Sequence, residues 1–162
     1  MDGKIWTIHG IYTDRYHHSA AVKSCHHDGT PAFDLMANGG TPIFAITDGK
    51  VTHVNPSYTL NNGPGKPCNS LQFFSTKENS YFWYGHILAD PGIENKTFHA
   101  GEKLGVVATK DYGTKCYGGG THLHIDRGCV DGAGKRQTGG SPGCRDPAFL
   151  LDLVKIWESL PL

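Results

Sequence analysis

The sequence predicts a mainly β domain, an antiparallel sheet with one C-terminal helix and long loops. Three observations predict it. Short apolar runs alternate with Gly, Asn, Pro and Asp punctuation along most of the chain, the pattern of strands joined by turns. The 22 glycines and 9 prolines among 162 residues give turns and loops a large share. Helical periodicity is confined to the C-terminal end, and the length suits one domain, residues 1–162, around one core.

Taken in order, the strand candidates are 5–11, 42–47, 50–54, 71–75, 81–87, 104–108 and 122–125. Asp48-Gly49 falls between the second and third and has the composition of a tight hairpin turn. The stretch 61–68 contains Gly63, Pro64, Gly65 and Pro67, so it is expected as a surface loop. Near the end, Asp146 suits a helix cap and Pro147 the first helical position. Phe149, Leu150, Leu153, Val154 and Trp157 then recur at three- and four-residue steps, predicting an amphipathic helix over about 146–160 packed on the sheet.

Charge and composition exclude several partners. The net charge is zero and aromatic residues do not alternate with basic clusters, which argues against nucleic acid. No apolar stretch is long enough for a membrane span. The five cysteines, Cys25, Cys68, Cys116, Cys129 and Cys144, lack the close spacing of a structural zinc knuckle. They read as disulfides in an oxidising compartment, with reduced, buried thiols as the alternative. Cys129 and Cys144 would close a short loop worth roughly 3 kcal/mol. Cys68–Cys116 follows by elimination, leaving Cys25 free or paired with an upstream segment.

The ten histidines matter through their placement. In Thr121-His122-Leu123-His124-Ile125, strand alternation puts His122 and His124 on one face and Leu123 and Ile125 in the core. Two imidazoles side by side suit a metal site, although two solvated histidines on a half-exposed strand fit the same pattern. A second cluster runs from His26 and His27 through Asp28 to Asp34. Catalytic zinc commonly takes three ligands from His, Asp and Glu and keeps a fourth position open, which a histidine and a carboxylate from here would complete. The alternative is that Asp34 caps a turn and both histidines are loop residues. Third, His86 ends the aromatic strand Tyr81-Phe82-Trp83-Tyr84-Gly85-His86-Ile87, where a two-residue count puts it on the face of Phe82 and Tyr84. There it is either a hydrogen-bonding core histidine or a catalytic one.

In this order the elements resemble the lysostaphin-type, or LytM-like, zinc endopeptidases. The matching stretches are His27…Asp34, Gly40-Thr41-Pro42-Ile43-Phe44-Ala45…Asp48-Gly49-Lys50-Val51, Tyr84-Gly85-His86-Ile87, Ala100-Gly101-Glu102-Lys103-Leu104-Gly105 and Thr121-His122-Leu123-His124. They span roughly residues 25–126. The resemblance implies an antiparallel sheet whose long loops form a substrate groove. It makes His27, Asp34 and His124 the ligands of one Zn2+ ion, and His86 and His122 the catalytic histidines. The spacing of His27 to Asp34, seven residues, departs from the family's commoner four, and His26 is the alternative first ligand. Trp83 and Tyr84, and more weakly Tyr117, are candidates to line the groove or to fill the core.

What the resemblance implies about activity is hydrolysis of peptide bonds in bacterial peptidoglycan, in cross-links or stem peptides, by an extracytoplasmic monomer. Met1-Asp2-Gly3-Lys4 lacks the layout of an export signal, so the sequence reads as a trimmed domain whose signal or wall-binding module lies elsewhere. Zinc acidifies its water to a pKa of about 7 and polarises a carbonyl, while imidazole titrates near 6.5 and suits proton transfer. Rival hydrolytic motifs are absent: there is no Gly-x-Ser-x-Gly elbow and no His-Glu-x-x-His helix. Two other readings stay open. One is a catalytically silent domain of the same fold that binds cell wall or activates a partner amidase; the other is a His-rich zinc-storage protein holding several ions.

Overall fold

A computed structural model of the chain describes residues 32–117 and 120–129, with side chains over 37–117 and 120–125. The strand expected at 5–11, the helix at 146–160, His26, His27, Cys25 and Cys144 lie outside the described residues. Eight strands form one sheet: β1 (Ala32–Met36), β2 (Pro42–Phe44), β3 (Gly49–Tyr58), β4 (Cys68–Ser75), β5 (Ser80–Ala89), β6 (Thr97–Phe98), β7 (Lys103–Val107) and β8 (His122–Cys129). Every pairing is antiparallel. The order is β1-β8-β5-β4-β3-β6, with β7 also pairing β5 and β2 pairing β7. A 3-10 turn at Lys110–Tyr112 leads into the short helix α1 (Gly113–Tyr117).

Alternation along the strands builds the core. Ile43 of β2, Val51 of β3, Phe73 of β4, Phe82 and Tyr84 of β5, Leu104 of β7, and Leu123 and Ile125 of β8 are fully buried in one cluster. Each large apolar side chain removed from water in this way contributes about 1.5–3 kcal/mol. No described helix is long and apolar enough to cross a membrane.

The structure differs from the sequence expectation at Asp48-Gly49, which is not a hairpin turn. β2 pairs β7 rather than β3, and β3 pairs β4 and β6. Asp48 accepts a hydrogen bond from the Ala100 backbone N–H at 2.8 Å, which ties this corner to the segment before β7. Gly49 is required by close approach, because a Cβ there would run into the carbonyl oxygen of Phe74 and the ring of Phe73.

The expected loop at 61–68 stands between β3 and β4, with Cys68 already in the strand, and it grips the helical segment. Leu60 N–H donates to Lys115 O at 2.8 Å, Lys66 N–H to Tyr112 O at 3.0 Å, and Lys115 N–H to Pro64 O at 3.1 Å. Cys68 and Cys116 are joined as a disulfide, with Cα atoms 5.5 Å apart, and this fastens α1 to the first residue of β4. The two half-cystines, Ala108 and Tyr117 form a second, smaller core.

One irregularity positions the site. Leu71 pairs Tyr84 and Asn69 pairs Ile87, so Gly85 and His86 of β5 stand opposite Ser70 alone. This is a β-bulge, two residues against one. It coincides with a fork in the sheet, since β5 pairs β8 from Ser80 to Gly85 and β7 from Ile87 to Ala89.

Candidate active site

β8 supplies two histidines through plain strand alternation. Leu123 and Ile125 are fully buried in the main core, and His122 and His124 face the other way, His122 nearly buried and His124 partly exposed. The strand is pinned just before them, where the Thr121 hydroxyl donates to Ala37 O at 2.6 Å and Ala37 N–H to Thr121 O at 3.2 Å. β1 runs alongside, with Asp34 in register with His124 and Met36 with His122. Directly opposed residues of an antiparallel pair share a face of the sheet. His124 is also the register partner of Gly85 on its other side, so Asp34, His124 and Gly85 form one row across three strands.

His86 arrives by a different route, and here the two-residue count fails. Without the bulge it would share the core face of Phe82 and Tyr84. The extra residue restores that face to Ile87, which is fully buried in the main core, and leaves His86 on the side of the β8 histidines. Its backbone is left-handed, φ 61°, which costs a side-chain-bearing residue roughly 1–2 kcal/mol. Ala108 N–H donates to His86 O at 2.9 Å and holds the bend in place. The His86 ring centroid lies 4.4 Å from that of His122 and 5.9 Å from that of His124. Three imidazoles from two strands thus meet at one point of the sheet.

Backbone carbonyls fix two of these rings. His86 Nδ1 is 2.5 Å from Cys116 O, and His122 Nδ1 is 2.8 Å from Gly120 O. A carbonyl oxygen only accepts, so each Nδ1 carries the proton and Nε2 is the basic nitrogen of the neutral ring. Both histidines are therefore oriented to use the same nitrogen in chemistry.

Aromatic side chains wall the cluster. The Trp83 ring lies 5.3 Å from His124 and the Tyr58 ring 5.5 Å from His86, and the two aromatics touch edge to face at 5.2 Å. Gly85 makes room for this, since a Cβ at that position would overlap the Trp83 indole. Tyr84 and Tyr117 belong to the cores. Tyr84 is fully buried, its hydroxyl accepts from Ile46 N–H at 3.2 Å, and burial holds its phenol well above the ordinary tyrosine range. The Tyr117 hydroxyl donates to Lys110 O at 2.7 Å. Tyr58 escaped the sequence reading because β3 runs four residues beyond its apolar stretch.

Of the residues singled out in the sequence, His86, His122 and His124 are brought together, and Asp34 is placed opposite His124 by register. His27 and His26 lie outside the described residues. Among the described residues Cys68, His86 and Cys116 also place potential ligand atoms within 4.8 Å of one another. The disulfide engages both sulfurs, so this group offers one imidazole rather than a three-ligand set.

Solved structures share this architecture. The chain is similar to a point mutant of the catalytic domain of the prophage-encoded protein EnpA from Enterococcus faecalis, with a TM-score of 0.53 and 20% identity over 82% of this chain and 91% of that one. It is similar to the solution structure of lysostaphin, the antimicrobial peptidase of Staphylococcus simulans, with a TM-score of 0.50 and 23% identity over 75% of this chain. The match spans 43% of the length of that lysostaphin chain. No protein-family model and no curated protein matches the sequence. The chain has the lysostaphin-type peptidase fold.

Proposed function

We propose that this protein is a zinc-dependent endopeptidase that hydrolyses peptide bonds in bacterial peptidoglycan. The observation that carries the reading is the convergence on β8: three imidazoles from β5 and β8 meet where β1 sets Asp34 in register with His124. A carboxylate and imidazoles are the donor types of a catalytic zinc site, so the residues fit the ion. In this reading His27, Asp34 and His124 hold one Zn2+. Zinc, when bound, polarises the scissile carbonyl and makes water nucleophilic near neutral pH.

The chain's own groups perform the proton work. His122 and His86, each with Nδ1 tied to a carbonyl, present Nε2 as a base. One takes a proton from the attacking water, and a protonated ring then delivers one to the departing amine. Positioned acid–base groups of this kind contribute roughly 10²–10⁴-fold each. Tyr58 and Trp83 border the rings, and an aromatic wall that limits water there would strengthen electrostatic contacts to the developing oxyanion. The disulfide at Cys68–Cys116 supports work outside the reducing cytosol, where peptidoglycan lies.

The test uses Asp34→Ala and His124→Ala, with bound zinc and release of new amino groups from defined muropeptides as readouts. Both variants are expected to lose the metal and the activity. Full hydrolysis by either one overturns the assignment, and a zinc-free wild-type protein favours the silent, wall-binding alternative.

A further inference from the structure

A hydrogen-bond acceptor that orients His86 comes from outside the described strands: it is the carbonyl of Cys116, in a helix of five residues, Gly113–Tyr117. Hydrogen bonds from the 60–66 loop hold this helix, and loop and helix lean on each other. The covalent tie from the helix to the sheet is the Cys68–Cys116 disulfide, and one of its half-cystines supplies the acceptor oxygen itself. Both half-cystines are fully buried, and the His86 ring nitrogen lies within 4.8 Å of their sulfurs. Cys68 opens β4, so a rigid strand is joined to the carbonyl through one side-chain bridge.

We infer that the Cys68–Cys116 disulfide is a positioning element for His86, holding the Cys116 carbonyl against Nδ1 and so fixing both the ring's direction and its tautomer. Opening the bridge frees α1 to shift against β4, and the His86 ring then loses this hold on its Nδ1 while β1, β8 and the residues on them keep their pairing. Activity thereby depends on the redox compartment. This inference rests on the peptidase reading for its kinetic arm, but its structural arm stands alone. A displacement of about 1 Å in a catalytic group costs up to roughly 10²-fold in rate.

The experiment compares the oxidised full chain, the same chain opened with a water-soluble phosphine, and Cys68→Ala/Cys116→Val. In the reduction the phosphorus supplies two electrons and the S–S bond breaks. Water gives its oxygen to the phosphine oxide and its two hydrogens to the two thiols. Four readouts are taken on each form: kcat and KM on a soluble cross-linked muropeptide, zinc content, far-UV circular dichroism, and imidazole 15N shifts of His86. The expected result is a kcat lowered about 10- to 100-fold with KM within about twofold, zinc and sheet signal retained, and His86 nitrogens moved from a single Nδ1–H form toward a tautomer mixture. Reoxidation of the reduced chain restores all of these. Unchanged kcat and unchanged 15N shifts in the opened forms overturn the inference, and so does activity lost only together with zinc or sheet signal. If the oxidised wild type cleaves no muropeptide, the peptidase reading fails, and the 15N comparison still decides the coupling.

Discussion

Replacing His86 by glycine and, separately, by alanine tests the bulge that aims this ring. Both variants remove the imidazole and its bond to Cys116 O, so those losses cancel in the comparison. What remains is the backbone. At an ordinary strand position glycine is less stable than alanine by roughly 0.5–1 kcal/mol, because its unfolded chain has more freedom to lose. At φ 61° alanine carries a left-handed strain of roughly 1–2 kcal/mol that glycine avoids. The difference leaves His86→Gly more stable than His86→Ala by up to about 1.5 kcal/mol, with a midpoint of about 0.75 kcal/mol. Tyr81, which pairs Phe74 and Gly128 in unbroken register on β5, provides the control, and there the order reverses. For a chain of this size each kcal/mol moves the melting temperature by roughly 2–4 °C. Thermal melts and urea titrations followed by circular dichroism read both pairs. An alanine variant at least as stable as the glycine variant at position 86 refutes the left-handed bulge, and with it the account of how His86 leaves the core face. Both variants are also expected to lose roughly 10²–10⁴-fold in hydrolysis rate.

Other outcomes follow from the same structure. Tyr84→Phe strips the acceptor from the buried Ile46 N–H and should cost about 1–3 kcal/mol in a urea titration, with activity kept by the folded protein. Gly85→Val forces the Trp83 indole away from His124, which should shift tryptophan fluorescence and lower kcat about tenfold or more. At Asp48 the Ala100 N–H, aided by His99, holds the carboxyl below the usual aspartate range. Its folded pKa is depressed, so its stabilisation is present above the unfolded value of about 3.9 and fades as pH falls through the folded one. Asp48→Ala should therefore lower stability at neutral pH and flatten the acid limb of the stability profile. The effect stays below about 1 kcal/mol, since this carboxylate is well exposed.

How much of this was legible in the sequence depends on how local each feature is. Strand alternation at 121–125 placed Leu123 and Ile125 inward and His122 and His124 outward, and the structure has that arrangement. The loop before Cys68 stands where its Pro-Gly content puts it, and Cys68–Cys116 is the bridge that elimination leaves, although the Cys129–Cys144 pair behind that elimination lies outside the described residues. A period-two count fails at His86 because a bulge inserts one residue, and only the partner strand reveals it. β1 was not read as a strand because its partner, β8, lies far along the chain and the short stretch Ala32–Met36 carries little pattern alone. Asp48-Gly49 looked like a hairpin because both residues favour turns. Their actual reasons are a distant backbone N–H and a neighbouring carbonyl. Cys116 could not be found as a histidine anchor, since a main-chain carbonyl leaves no mark in sequence.

Under the proposed function, one zinc ion sits on imidazole and carboxylate donors beside β8. X-ray absorption at the zinc edge of the metal-loaded full chain tests it most directly, because nitrogen and oxygen ligands lie at about 2.0–2.2 Å and sulfur at about 2.3 Å. The account predicts one zinc per chain with a four-atom shell of nitrogen and oxygen, imidazole outer-shell scattering, and no sulfur. A sulfur shell, which would bring a cysteine into the site, or a chain that binds no zinc, would overturn the assignment.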